Sequence, residues 1–284
     1  MIVDAHCHAG EFERHYPHDF AEPMMQSIHL PPEAITTDIQ ALLATMDASR
    51  IDRAFLLAFD AERTLGVKVP NNYVAEICRA HPQRFIGFCS VDPARAGAPE
   101  ELERCVRQLG LRGLKIAPAY LRLAPDDRVW YPVYETAAAL GIPILMHTGW
   151  TPAKGAALAY GRPMLRRVAE DFPTLKLIMA HMSMPWVDQC IDLLAAHPNL
   201  YADLSLFGWY QPIELVVQKL AQALERGVIE RIVWGSDHPW GPPGEFSQRM
   251  QHLIGGAALF PPGRAPQPGQ WEQIMGRTAL SLVL

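Results

Sequence analysis

The chain has 284 residues, of which 49% are hydrophobic and 19% are charged. This length allows one large domain or two small ones, and the composition excludes disorder over most of the chain. The net charge of −5 provides no basic surface for nucleic acid or for an anionic membrane. No apolar run reaches the roughly 18 residues of a membrane span, so we expect no nucleic-acid partner and no membrane insertion.

The N-terminal residues and the cysteines both predict a cytoplasmic protein. Met1 is followed directly by Ile2 and Val3, without the basic and apolar regions of a signal peptide. The five cysteines are scattered and form no C-x-x-C pair, which argues against a disulfide framework. We expect them to be small buried thiols in a reducing compartment.

Eight short apolar runs, several of them rich in β-branched residues, alternate with longer segments of helical periodicity. The runs are 1–5, 53–59, 84–91, 111–117, 142–147, 176–181, 200–205 and 231–235. Their mean spacing of about 33 residues is close to the length of a strand–helix–strand unit, about 30 residues. Nearly continuous apolar strands are typical of a parallel sheet that is covered on both faces.

The segments between these runs carry helix signals. In 99–110 a proline begins the segment, acidic residues fill the first turn and Gly110 ends it. Segments 131–140 and 214–226 have similar punctuation. Eight strands alternating with helices predict an α/β fold, a single-domain (β/α)8 TIM barrel over residues 1–284. An open doubly wound sheet is the alternative, although no G-x-G-x-x-G follows the first strand.

Two segments interrupt the alternation. Residues 15–36, within the connection 10–37, are rich in proline, histidine and acidic residues, and 241–270 is rich in proline and glycine. Both follow predicted strands and therefore belong to the C-terminal face of a barrel, where long segments often cover the substrate. We expect lids or substrate loops here, with irregular surface loops as the alternative.

Several predicted strands end in a side chain that could bind a metal. The first strand ends in an H-x-H motif, His6 and His8, whose imidazoles lie on one face of an extended chain. The fifth strand ends at His147, the sixth at His181 and the eighth at Asp237. A barrel brings these strand ends to one mouth. Core packing does not explain the pattern, because burying so many unpaired imidazoles is costly.

This pattern resembles the amidohydrolase superfamily, and more narrowly its amidohydrolase-related branch, which contains aminocarboxymuconate-semialdehyde decarboxylase-like enzymes. Segments 90–93 (SVDP), 113–115 (GLK) and 235–240 (GSDHPW) also fit that branch, and the likeness covers essentially the whole chain. The resemblance implies one divalent metal, held by His6, His8, His147 and Asp237. We expect zinc, with manganese or iron as alternatives. It also implies catalytic roles for His181 and Asp237.

Lys115 bears on the number of metals. Alternation on the fourth strand places Lys115 on the face opposite Leu114 and Ile116, so it should point into the barrel. Binuclear members of the superfamily carry a carboxylated lysine on this strand, so the resemblance leaves a second metal as the alternative to a single one. With one metal, Lys115 is a candidate partner for a substrate carboxylate. A lysine extending from the barrel rim into solvent is the remaining possibility.

Further candidates for substrate binding follow the strands. Four tryptophans occur just after strands five to eight and could wall a pocket for a planar substrate, or simply anchor loops; they are Trp150, Trp186, Trp209 and Trp240. Arg122, after strand four, could bind a carboxylate with two parallel hydrogen bonds, although a solvated arginine is the commoner case. Asp203 and Ser205 on strand seven are expected to point inward near the metal.

Three hypotheses about a small-molecule substrate follow. The first is a metal-dependent hydrolase, in which metal-bound hydroxide attacks a small cyclic or aromatic amide, ester or lactone while Asp237 accepts a proton and His181 stabilises the oxyanion. The second is a metal-dependent non-oxidative decarboxylase of a carboxylated aromatic or muconate-like substrate. The third is a barrel that binds a small ligand without turnover. By analogy with superfamily relatives, a homodimer is also expected.

Overall fold

A ring of eight parallel strands forms the centre of the computed structural model, which describes residues 1–284. The strands are β1 (Val3–His8), β2 (Arg53–Leu57), β3 (Phe85–Ser90), β4 (Gly113–Ile116), β5 (Ile144–Met146), β6 (Leu177–Met179), β7 (Leu200–Asp203) and β8 (Ile232–Val233). Neighbours in the sheet follow the chain order from β1 to β8, and every pair is parallel. The predicted (β/α)8 barrel is therefore confirmed.

The ring closes between β8 and β1 through backbone hydrogen bonds. The Ala5 N–H donates to the Trp234 carbonyl at 3.0 Å, and the Asp237 N–H donates to the His6 carbonyl at 2.7 Å. These bonds extend beyond β8 itself, which is only two residues long. Closure therefore holds the segment after β8 directly against the end of β1.

The connections between strands carry the helices. They are α1 (His18–Gln26), α2 (Ile39–Ala48), α3 (Glu62–Leu65), α4 (Asn71–Ala80), α5 (Ala98–Arg107), α6 (Pro118–Leu121), α7 (Tyr131–Leu140), α8 (Arg166–Asp171), α9 (Val187–Ala196), α10 (Phe207–Tyr210), α11 (Ile213–Glu225), α12 (Pro243–Gly255), α13 (Pro268–Glu272) and α14 (Thr278–Val283). A two-stranded antiparallel ribbon, Phe59–Ala61 with Val67–Val69, follows β2. None of the helices is long and apolar enough to cross a membrane.

The helices predicted at 99–110, 131–140 and 214–226 correspond to α5, α7 and α11. In α5, Glu100 and Glu101 lie in the first turn and Arg107 lies in the last, so both charge signs complement the helix dipole. Leu102 and Cys105 of the same helix are buried. The periodicity of the sequence thus identified both the helix and its buried face.

The two segments expected to be loops contain helices. Segment 15–36 includes α1, and segment 241–270 includes α12, which packs against α2. Each helix buries residues along one face, as an amphipathic helix does; they include Phe20, Ala21 and Met25 in α1 and Phe246, Met250 and Leu253 in α12. The prolines and glycines of these segments lie mainly at the helix ends. Their number in the sequence led to the prediction of irregular loops.

Candidate active site

Five side chains predicted at strand ends lie together in one cavity at the C-terminal mouth of the barrel. We call them the histidine–aspartate cluster; its members are His6, His8, His147, His181 and Asp237. None of them is more than 7% exposed. The Asp237 Oδ1 atom lies 3.0 Å from His6 Nε2 and 3.4 Å from His8 Nε2. His181 Nε2 lies 3.3 Å from His147 Nδ1 and 3.9 Å from Asp237 Oδ2, so the cluster is continuous.

A β-bulge in β1 aims its two histidines. The register against β2 shifts between Asp4 and Cys7, so one extra residue is accommodated in β1. Toward the start of β1, Val3 and Ala5 belong to the small apolar cluster inside the barrel. Toward its end, His6 and His8 face the cavity while Cys7 packs outward among the helices. Bulges of this kind commonly redirect side chains beside functional sites.

Two members of the cluster leave their strands through left-handed backbone. The φ angle is 58° at His181 and 63° at Asp237, a region that residues other than glycine rarely adopt. The His181 N–H donates to Asp203 Oδ1 at 2.9 Å, and the Asp237 N–H donates to the His6 carbonyl at 2.7 Å. Such conformations persist where the surrounding structure holds them, and they concentrate at functional sites.

Asp203, at the end of β7, orients two histidines from beneath the cavity. His6 Nδ1 donates to Asp203 Oδ2 at 2.8 Å, which directs the Nε2 lone pair of His6 toward the cavity. The Ser205 Oγ lies 2.8 Å from His181 Nδ1 and also bonds Asp203 Oδ1. Donor atoms of His6, His181 and Asp203 lie within 4.8 Å of one another. These hydrogen bonds tie the three side chains together, so Asp203 supports the cluster from outside the cavity.

Burial controls the charge of the cluster. It lowers the pKa of His8 to about 3, that of His181 to about 4 and that of His147 well below its usual value. Burial also opposes ionisation of Asp237, but the charge of His6 and its hydrogen bond outweigh that effect and hold the pKa of Asp237 well below its usual range. The floor of the cavity thus offers the neutral imidazoles of His8, His147 and His181 and one carboxylate.

This donor set fits a divalent metal. Donor atoms of His6, His8 and Asp237 lie within 4.8 Å of one another. The Nε2 atom of His147 is buried without a hydrogen-bond partner, which is an unusual state that coordination would relieve. Neutral imidazoles together with one carboxylate are the ligands that zinc and related divalent ions use in catalytic sites.

Lys115 lies beside the cluster. Its Nζ atom is 2.8 Å from His6 Nε2, and the side chain is only 1% exposed, which excludes a lysine extending into solvent. Leu114 and Ile116 pack outward against the helices, so the inward direction of Lys115 agrees with the alternation of β4. Burial lowers the pKa of Lys115 to about 8, although the charge of Asp237 opposes the shift.

Aromatic and apolar side chains wall the cavity above the cluster. They are Tyr16, Phe20, Met24, Phe59, Tyr120, Trp150, Leu206 and Trp240. Trp150, predicted as a pocket residue, is half exposed at the mouth, whereas Trp240 is buried. The Tyr120 Oη lies 2.6 Å from Thr151 Oγ1, and burial raises the pKa of Tyr120, so this hydroxyl stays neutral.

Arg122 does not reach this cavity. Its backbone is left-handed, with a φ of 56°, and this turn directs the guanidinium away from the barrel mouth. Its Nε donates to the Gly155 carbonyl at 2.8 Å, and the side chain lines a separate surface cleft. The expected contact between Arg122 and a substrate carboxylate is therefore not supported.

Trp186 and Trp209 also lie outside the lining of the cavity. The guanidinium of Arg162 lies 5.4 Å from the centre of the Trp186 ring. The Trp209 ring packs near Phe246 of α12, with ring centres 6.4 Å apart. Both side chains miss the cavity, because a position just after a strand does not fix the direction of a loop side chain.

Most residues of the cavity wall were not predicted from the sequence. Phe20 and Met24, four residues apart on α1, both face the cavity. Their helical spacing was the available signal, but Pro17 and Pro23 made the segment read as a loop. Tyr120 follows β4, and nothing in the sequence distinguishes it from aromatic residues that are buried elsewhere.

The amidohydrolase family pattern matches residues 3–283. The chain belongs to the amidohydrolase family. The match spans nearly the whole barrel, and the relatives below include decarboxylases of the aminocarboxymuconate-semialdehyde type. The branch indicated by the strand-end residues is therefore confirmed.

Curated relatives are mostly decarboxylases. The 2-amino-3-carboxymuconate-6-semialdehyde decarboxylase of Dictyostelium discoideum is 29% identical over 236 residues, covering 66% of this chain and 64% of that protein. A gamma-resorcylate decarboxylase of Polaromonas sp. is 29% identical over 39% of this chain and 43% of that protein. A 2-keto-4-carboxy-3-hexenedioate hydratase of Sphingobium sp. is 30% identical over 39% and 38%. In each case the match spans less than two thirds of the relative's length.

Solved structures share the whole fold. An uncharacterized TIM-barrel protein from Bordetella bronchiseptica superposes with a TM-score of 0.79 at 22% identity, covering 99% of this chain and 97% of that one. A 5-carboxyvanillate decarboxylase from Sphingomonas paucimobilis gives 0.72 at 19% identity, covering 99% and 98%. A dihydroxybenzoic acid decarboxylase from Polaromonas sp., solved with bound manganese, gives 0.70 at 17%, covering 99% and 96%. At these identities the likeness concerns the fold.

Proposed function

We propose that the protein is a metal-dependent, non-oxidative decarboxylase of a planar carboxylated substrate, aromatic or muconate-like. The observation that carries this proposal is the division of the cavity into two parts. Its floor consists of the histidine–aspartate cluster and Lys115, and its walls are largely aromatic. The names of the curated relatives favour decarboxylation over hydrolysis, whereas hydrolysis was the first hypothesis drawn from the sequence.

We further propose that His6, His8, His147 and Asp237 hold one divalent metal. The spacing of the donor atoms and the unpartnered Nε2 of His147 support this ligand set. A bound divalent cation supplies positive charge that holds and polarises substrate oxygens. The structure of the dihydroxybenzoic acid decarboxylase from Polaromonas sp. contains manganese. Manganese and zinc are therefore the two metals to test first.

In the proposed reaction, Lys115 binds the substrate carboxylate at the floor while the aromatic walls hold the planar body. The bond between the ring carbon and the carboxylate breaks and carbon dioxide leaves. The ring carbon keeps the electron pair and takes up one proton.

His181 and Asp237 are placed to pass that proton. The distance from His181 Nε2 to Asp237 Oδ2 is 3.9 Å, and both side chains line the cavity. A proton taken from solvent can cross this pair to the ring carbon of a substrate bound above the floor, as general acid catalysis requires, so the two groups carry it only transiently. The contact of His181 Nδ1 with Ser205 fixes the ring orientation for this transfer.

The test measures carbon dioxide release from purified protein loaded with manganese or zinc. The substrates are carboxylated phenols, and lactones and aryl esters are assayed in parallel by acid release. We expect carbon dioxide release, with one solvent deuterium incorporated at the vacated ring carbon in heavy water. Acid release from lactones without carbon dioxide release would overturn the proposal in favour of hydrolysis. No turnover of either class would favour a binding protein.

A further inference from the structure

The cavity of the candidate site concentrates its charge at one end. Lys115 is the cationic side chain of the lining, and its Nζ lies 2.8 Å from His6 Nε2 at the floor. Asp237 lies at the same floor, 3.0 Å from His6. The proposed metal ligands share this position, so a bound metal would add its positive charge at the same end. A substrate carboxylate therefore has one place to bind.

The opposite part of the cavity is hydrophobic. Its wall consists of side chains without charge, among them Phe20, Met24, Phe59, Leu206 and Trp240. A carboxylate buried against such a wall loses its hydration without gaining a cationic partner, which is strongly unfavourable.

Arginines near the barrel mouth are held elsewhere. The guanidinium of Arg122 is bonded to the Gly155 carbonyl, and that of Arg162 stacks on Trp186. Each side chain would have to break these contacts and move into the cavity before it could pair with a second carboxylate group on the ligand.

The wall includes a pair of neutral hydroxyls. Tyr120 Oη and Thr151 Oγ1 lie 2.6 Å apart, and Thr151 Oγ1 also accepts a hydrogen bond from the Ala153 N–H at 3.2 Å. A hydroxyl of this pair can donate a hydrogen bond to a ligand's ether or hydroxyl oxygen, or accept one from a ligand's hydroxyl group. They match a phenolic or methoxy substituent better than a second carboxylate.

We propose that the substrate is an aromatic monocarboxylate with neutral hydroxyl or ether substituents, and that the cavity rejects aromatic dicarboxylates. The proposal rests on the decarboxylase function proposed above and narrows its substrate class. In substrate preference, this chain would then differ from the structurally similar 5-carboxyvanillate decarboxylase, because 5-carboxyvanillate carries two carboxyl groups.

The test compares three ligands that differ at one ring position. They are 2-hydroxy-3-methoxybenzoate, its 5-carboxylate (5-carboxyvanillate) and its 5-carboxamide, a neutral group of nearly the same size. Binding to the metal-loaded protein is followed by the fluorescence of the cavity tryptophans, and turnover by carbon dioxide release. We expect the dicarboxylate to bind about 100-fold more weakly than the monocarboxylate, and the carboxamide to bind within about tenfold of it.

Two results would overturn the proposal. Dicarboxylate binding as tight as that of the monocarboxylate would show that a second carboxylate is accommodated. Equal rejection of the carboxamide and the dicarboxylate would show that size, rather than charge, decides. Because binding is measured separately from turnover, absence of carbon dioxide release from all three compounds would refute the decarboxylase function while the binding order still tests the charge argument.

A variant with an added cation on the hydrophobic wall tests whether the missing charge is what excludes dicarboxylates. Met24 faces the cavity from α1, and its Sδ lies 3.7 Å from Thr151 Oγ1. Met24→Arg places a cation on the hydrophobic wall, and Met24→Gln is the neutral control. We expect Met24→Arg to improve dicarboxylate binding relative to monocarboxylate binding at least about tenfold. An equal ratio in both variants would contradict the proposal. Should Met24→Arg not fold, the three-ligand comparison in the unmodified protein decides.

Discussion

Asp237 is the residue at which most contacts of the candidate site converge, because the Nε2 atoms of His6 and His8 both lie within 3.4 Å of its Oδ1. Asp237→Asn removes the negative charge and one metal-binding oxygen while keeping the size of the side chain. We expect the rate to fall about 100- to 10,000-fold and the circular dichroism spectrum to stay unchanged. Asp192→Asn, at an exposed ion pair with Arg226, is the control and should keep full activity.

Asp203 acts on the reaction only through the histidines that it orients. In Asp203→Asn the acceptor for His6 Nδ1 loses its charge, and the imidazole is held less firmly. Replacing such a supporting carboxylate typically lowers metal affinity about 10- to 100-fold. Competition with a chelator measures this loss without reference to turnover. Ser205→Ala removes a hydroxyl that lies 2.8 Å from His181 Nδ1 and 3.1 Å from His6 Nδ1 but keeps the Asp203 carboxylate on His6, so it should change metal affinity less. Equal affinity in Asp203→Asn and the unmodified protein would contradict the positioning role.

At the same scale, the sequence predicted side chains on strands better than side chains in loops. Lys115 could be assigned to the barrel interior because alternation on β4 leaves two directions, and Leu114 and Ile116 occupy the other one. Arg122 lies in a turn with left-handed backbone, and no pattern in the sequence predicts this conformation. Its direction depends on a hydrogen bond to Gly155, a residue more than thirty positions away, so spacing in the sequence could not give it.

At the scale of elements, β8 depends on a glycine to meet β1. A Cβ atom on Gly235 would lie 2.8 Å from His6 Cβ and 3.0 Å from the His6 backbone nitrogen. Gly235→Ala should therefore push the two strands apart and lower the free energy of unfolding by about 1–3 kcal/mol. Because the same displacement moves Asp237 away from His6, we expect activity to fall as well. Thermal unfolding and the initial rate measure the two effects.

The matched control for this change is Gly269→Ala. Gly269 lies in the short helix α13 with open space where a Cβ would stand. This substitution should leave the melting temperature unchanged or raise it slightly. Equal melting temperatures and rates for Gly235→Ala and the unmodified protein would show that the close approach at the barrel seam is not needed.

The elements themselves were predictable where one physical signal dominated. Buried parallel strands need continuous apolar runs, and all eight were visible in the sequence. The helix α1 was not recognised, because Pro17 and Pro23 suggested a break. Pro17 precedes the helix, and Pro23 is tolerated inside it. Packing of Phe20 and Met25 on the barrel mouth stabilises this helix, and such tertiary contacts are not visible in a local pattern.

At the scale of the whole molecule, the candidate metal site joins the first strand of the barrel to the last. His6 and His8 come from β1, and Asp237 follows β8, where the ring closes through only a few backbone hydrogen bonds. Coordination of one ion by these residues would fasten that seam. A metal that binds the folded chain alone must also stabilise it against unfolding, by about 2.7 kcal/mol at a free concentration 100 times the dissociation constant.

Removal of the metal should therefore lower the melting temperature. A free energy of this size corresponds to about 5 °C, since about 2 °C per kcal/mol is expected for a chain of this length. Calorimetry of chelator-treated protein, before and after addition of manganese or zinc, measures the shift. In Asp237→Asn and in His8→Ala the increment should shrink, since each lacks one proposed ligand, whereas Asp192→Asn should retain all of it. An increment of the same size in His8→Ala would place the metal elsewhere and remove the basis of the proposed site.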